Sequence, residues 1–172
     1  MFMKVRFVCA VTTVVVLAGC GEGRQTQDEK DRQAEEYAKS FGVDAKVTTS
    51  ADGTKSVAID RSMGGMAMQG GSNLRLPAGF PDDVPMYPEL NIVSSAQLPG
   101  GFTIQGQTND SLDQVAEFYV GRMASSGWSH EPPAQQPPTM RMLPFSKDNR
   151  TTSVSLIAGQ GTTVQVVSMA KP

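Results

Sequence analysis

Met63, Met66 and Met68 fall in the pattern Met-x-x-Met-x-Met, and a thioether is a soft ligand suited to Cu(I). Met140 and Met142 add a second Met-x-Met pair. Three thioethers on one short segment could hold a cuprous or silver ion, although Met also serves as adaptable apolar filling in linkers and cores. Histidine chemistry is confined to His130, between Ser129 and Glu131. Neighbours in sequence do not make a catalytic triad, which is assembled across a fold, so Ser-His-Glu-Pro-Pro reads as an exposed loop. Asp82 and Asp83 are adjacent, and in an extended chain they point to opposite sides, unlike an acid–base pair. No glycine cluster stands between a strand and a helix with the lysine of a phosphate loop. The expectation is a protein with no catalytic residues and no bound cofactor, and therefore not an enzyme.

Cys20 carries chemistry of another kind. Lys4 and Arg6 precede an uncharged run from Phe7 to Leu17, and Leu17-Ala18-Gly19-Cys20 closes it. A basic start, a short apolar stretch and small residues before a cysteine resemble the signal peptide and lipobox of bacterial lipoproteins. The apolar run is too short for a membrane-spanning helix, which needs roughly 20 residues. That resemblance implies a diacylglycerol thioether on Cys20, removal of residues 1–19 and acylation of the new amine. With about 0.8 kcal/mol for each buried CH₂, two or three acyl chains make a firm membrane anchor. Gly21 stands where an inner-membrane retention signal has Asp, so in a Gram-negative cell the protein is expected on the outer membrane, facing the periplasm.

Once residues 1–19 are gone, Cys9 is gone too, and no intramolecular disulfide can form. An exported chain without disulfides needs an ordinary hydrophobic core of a domain approaching 100 residues. Lys4 and Arg6 leave with the signal, and 17 acidic residues then outnumber the bases, for a net charge near −4. That sign, with no basic patch, argues against nucleic acid or anionic lipid headgroups as partners, since both reward clustered Lys and Arg. The partners expected are the membrane, through the lipid, and an envelope protein, polymer or small ligand whose identity the residues do not specify.

The elements that would carry these residues follow from pattern. Residues 20–42 read as a lipidated, solvated tether whose second half could be helical and end near Gly42. Residues 43–60 read as a β-hairpin around Asp52-Gly53. Residues 61–76 are rich in Gly and Met and read as a flexible linker, because glycine at that density costs too much entropy inside a regular element. Residues 77–172 form the main domain. Its opening, from Pro77 to Pro88, is extended by its prolines and offers Phe80, Val84, Met86 and Tyr87 for packing. Strands are expected over Leu90 to Ala96 and Phe102 to Thr108. A helix follows, with Ser111 and Gln114 as a capping box, Leu112, Val115, Ala116, Tyr119 and Met123 as its buried face, and Gly127-Trp128 as its stop. Three more strands lie within Met140 to Ser146, Thr151 to Ala158 and Thr162 to Met169.

The expected fold class is α+β: a small antiparallel sheet with one helix packed on a face, in the order β-β-α-β-β-β, preceded by a tether and a short β-hairpin. The segment Leu-Pro-Ala-Gly-Phe-Pro-Asp-Asp-Val-Pro-Met-Tyr-Pro, with Phe118-Tyr119 and Gly127-Trp128, resembles a group of small uncharacterised bacterial lipoproteins. Glu89 stands where that group usually has glycine. The resemblance implies the same order of tether, hairpin, proline segment and sheet domain, and brings no catalytic or binding residues. The leading functional reading is a membrane-anchored envelope lipoprotein acting as a non-enzymatic binding or interaction module. The alternative is a periplasmic copper- or silver-binding protein using Met63, Met66 and Met68, whose spacing resembles the methionine clusters of envelope copper proteins.

Overall fold

The computed structural model describes residues 26–40, 42–59 and 65–170. Cys20, Met63 and the signal peptide at 1–19 lie outside them. The first element, α1 (Gln27–Ser40), opens on a capping box: Thr26 Oγ1 accepts from the Glu29 amide, and Glu29 Oε2 accepts from the Thr26 amide at 2.8 Å. Its end is a left-handed Gly42, with Val43 N–H donating to the Ala38 carbonyl. Too polar to be held by apolar burial, α1 is bonded to its neighbour through its carboxylates.

That neighbour is β1 (Ala45–Thr49), which pairs with β2 (Lys55–Ile59) around the turn at Asp52-Gly53. Glu35 Oε1 accepts the Val47 N–H at 2.8 Å, and Asp31 Oδ1 accepts the Thr49 hydroxyl at 3.0 Å. Next come β3 (Met66–Gly70), β4 (Asn91–Leu98) and β5 (Gly101–Thr108), then α2 (Leu112–Ser125) and β6 (Ser129–His130). The chain closes with β7 (Met140–Lys147), β8 (Arg150–Ala158) and β9 (Thr162–Ala170). Every pairing is antiparallel, in the spatial order β1-β2-β3-β4-β5-β9-β8-β7-β6.

This architecture corrects the expected fold class. Among the described residues there is one nine-stranded sheet with two helices, where a small sheet with one helix and a separate hairpin was expected. The difference lies at residues 66–70, read as linker and found as β3. Ala67 and Met68 pair with Ala58 and Val57 on one side and with Gln97 and Ala96 on the other. Two complete ladders offset the entropy of ordering the segment, and they join the hairpin to the main sheet. Gly71 is there for close approach: a Cβ would stand 2.9 Å from Thr54 Oγ1. The second departure is β6, where a loop was expected. His130 is half-buried there, its Nδ1–H donating to the Pro144 carbonyl at 2.9 Å and its ring stacked on Phe145.

The hydrophobic core lies between α2, the proline segment and one face of the sheet. Ile104, Val154, Leu156, Val164 and Val166 from the strands meet Val115, Tyr119 and Met123 from α2, all fully buried. Phe80 and Val84 of the proline segment complete that layer. The α2 capping box is formed as expected, with Ser111 and Gln114 exchanging backbone-to-side-chain bonds. Its stop is a Schellman motif: Trp128 N–H donates to the Met123 carbonyl and Gly127 N–H to that of Ala124.

Candidate functional site

A cleft of about 510 Å³ opens at the end of the sheet where β4, β5 and β9 meet. The first strand brings Asn91, the second Gln107 and Thr108, and the third Thr162 and Thr163. Asn109, Gln160, Gly161 and Glu89 come from the adjoining turns. Gly161 is required here, since a Cβ would lie 2.2 Å from the Thr108 carbonyl oxygen. That approach presses the β8–β9 turn against the end of β5.

The floor of the cleft is braced. Thr162 Oγ1 donates to the Asp110 carbonyl at 2.8 Å, and the Asp110 amide donates to Thr108 Oγ1 at 3.3 Å. The Asp110 carboxylate accepts the Tyr87 hydroxyl at 2.5 Å, which ties the floor to the proline segment. That hydrogen bond, with desolvation and the nearby negative charge, pushes the Tyr87 phenol up to about 12. Tyr87 therefore remains a donor at any physiological pH. Burial pushes the Tyr119 phenol up as well, and its oxygen accepts the Tyr87 amide at 3.4 Å.

The rim differs from the floor. Gln107, Asn109 and Gln160 are exposed, and their side-chain amides engage no other described residue. Each amide offers donors and an acceptor, Thr163 adds a hydroxyl, and Glu89 supplies the one charge in the lining. With no cation in the lining, the cleft is unsuited to phosphates and carboxylates, and its polarity is unsuited to acyl chains. Hydroxyl-rich or amine-bearing ligands match its groups. A lone rim carboxylate is not an acid–base pair, and no nucleophile stands beside a base here.

The other residues singled out in the sequence sit elsewhere. Met66 and Met68 share one face of β3, and Met68 is 44% exposed. Met140 and Met142 lie on the same sheet face, five strands away, roughly 24 Å at normal strand spacing. The two pairs therefore cannot share an ion. Asp82 is exposed, whereas Asp83 is half-buried and accepts bonds from Lys147 Nζ and Arg150 Nη1, each at 2.8 Å. Trp128 is buried under these cations, with its indole N–H on the Asp83 carbonyl at 2.9 Å. This cluster clamps the proline segment to the end of α2 and the β7–β8 turn. Among the described residues, no three His, Cys, Asp or Glu side chains are grouped to hold a metal, and no helix is long and apolar enough to cross a membrane.

A START domain-like family model matches residues 90–163. The chain is similar to that family over less than half its length, from the end of the proline segment into β9, and both ends of the match fall at the cleft. No curated protein and no solved structure matches the chain significantly.

The cleft was not visible in the sequence, because its side chains come from three strands and two turns. The only local trace is Gln105-Gly-Gln107-Thr-Asn109, a strand end unusually rich in amides.

Proposed function

We propose that this chain is a membrane-anchored bacterial envelope lipoprotein, acylated at Cys20, whose sheet domain is a non-enzymatic binding module. In a Gram-negative cell it sits on the outer membrane facing the periplasm. The observation that carries the binding reading is the braced cleft with uncommitted amides at its rim. Similarity to START-like domains, which are generally binding modules, supports it. The ligand class that fits is a neutral, hydroxyl-rich molecule such as an envelope saccharide.

Two experiments test this reading. Cys20→Ser should leave the precursor uncut and move the protein from the membrane to the soluble fraction; unchanged size and fractionation would overturn the anchor. Titration of the protein with soluble saccharide fragments of the cell envelope, followed by NMR, should shift the side-chain amides of Gln107, Asn109 and Gln160. The double variant Gln107→Ala/Asn109→Ala should weaken binding at least tenfold, and shifts confined to other parts of the sheet would remove the cleft from the account.

A second reading is copper or silver binding. It is favoured by one observation, the common face of Met66 and Met68 with Met68 open to solvent. Competition with a Cu(I) chelator should show binding that is lost when Met63, Met66 and Met68 become Leu; no binding at the outset would end it.

A further inference from the structure

The sheet has a second face, opposite α2, and that face is almost free of charge. The register places Ile59 and Met66 in one row across the strands, and Val47, Val57, Met68 and Ala96 in the next. The second row continues through Thr103 to Val167, and the neighbouring positions of β4, β5 and β9 on this face are uncharged. Lys55 is the one charged residue that alternation puts on this face among the described strands. Lys46, Arg141, Lys147 and Arg150 all fall on the side of the core. A chain with 19% charged residues would be expected to scatter several over a wet sheet face. The face is composed to be covered, and its most apolar part belongs to β1, β2 and β3.

The lipid anchor determines what lies nearest. Thr26 is six residues after Cys20, so the intervening chain reaches at most about 20 Å. The start of α1 is pinned beside these rows: Gln27 Nε2 donates to Thr49 Oγ1 at 3.2 Å, and Asp31 accepts from both Gln27 and Thr49. Thr49 is two residues from Val47 on the same side of β1. A tether this short holds the bilayer at an effective concentration on the order of millimolar or more, so even a weakly apolar patch would remain engaged.

We propose that the apolar rows of β1, β2 and β3 dock on the bilayer that receives the acyl chains of Cys20, and so fix the domain's orientation on the membrane. This rests on the lipoprotein reading. In the mature lipoprotein the Cys20 thiol is consumed as a thioether and Cys9 has been removed, so an introduced cysteine is the only free thiol. Met68→Cys and Gln69→Cys place a fluorophore on opposite faces of one exposed strand at the same distance from the anchor. The lipidated full chains are reconstituted into phosphatidylethanolamine and phosphatidylglycerol vesicles, with and without spin-labelled lipid.

The expected result is flotation of both proteins, with quenching by the spin-labelled lipid several-fold stronger at position 68 than at 69. Flotation with equal quenching at the two positions would overturn docking and leave the anchor standing. Disulfide-linked dimers through position 68, with no quenching there, would assign the face to a second copy instead. Failure to float would overturn the anchor, and docking with it.

Discussion

At the residue scale, Asp83 is the side chain with the most dependent neighbours. Its carboxylate accepts from Nη1 and Nη2 of Arg150 and from the Lys147 ammonium, and its carbonyl accepts from the Trp128 indole. Lys147 reaches further, to the Ser126 carbonyl at the end of α2. The hydrogen bonds from Arg150 outweigh desolvation and, with those from Lys147, hold the Asp83 carboxyl well below its ordinary value of 3.8. A carboxyl held low contributes stability that is fully present above its unfolded value and is lost as pH falls toward its folded one. Asp83→Asn is therefore expected to lower the unfolding free energy by about 1.5–3 kcal/mol at neutral pH, with the gap to the parent narrowing below roughly pH 4. Urea unfolding of both proteins at pH 7 and pH 3 measures this. An equal gap at the two pH values would mean that Asp83 acts by shape and not by charge.

Among the elements, those specified within a single turn of chain were legible in the sequence. Both ends of α2 are of this kind: Ser111 and Gln114 are three residues apart, and Gly127 with Trp128 closes on Met123. The hairpin turn at Asp52-Gly53 is equally local. β3 was not legible, because its strand character comes from partners on both edges, and Ala96 and Gln97 are nearly 30 residues away. Glycine density there signals close packing on Thr54 as much as freedom. α1 carried its own start signal, Thr26-Gln27-Asp28-Glu29, which the surrounding polarity masked. At the cleft, the turns could be anticipated, but the convergence of Asn91, Gln107 and Gln160 on one mouth depends on β5 lying between β4 and β9. A long-range pair such as Asp83 and Arg150 leaves no local trace at all.

For the whole molecule, the decisive property is that its sheet is open, with a two-residue strand at one border and a five-residue strand at the other. At the longer border the outward N–H of Val47 meets the Glu35 carboxylate, a side chain standing where another strand's carbonyl would otherwise stand. α1 thus acts as a stopper against strand addition, and it does so without apolar burial to hold it in place. A chain beginning at Val43 should keep its fold but polymerise through β1, seen as growth of sedimenting species with concentration. Val47→Pro in that shortened chain should suppress this growth, since the donor it removes faces away from β2. On the lipoprotein reading proposed above, proteolytic loss of α1 would have two effects at once: release from the lipid, and exposure of a strand edge that templates aggregation.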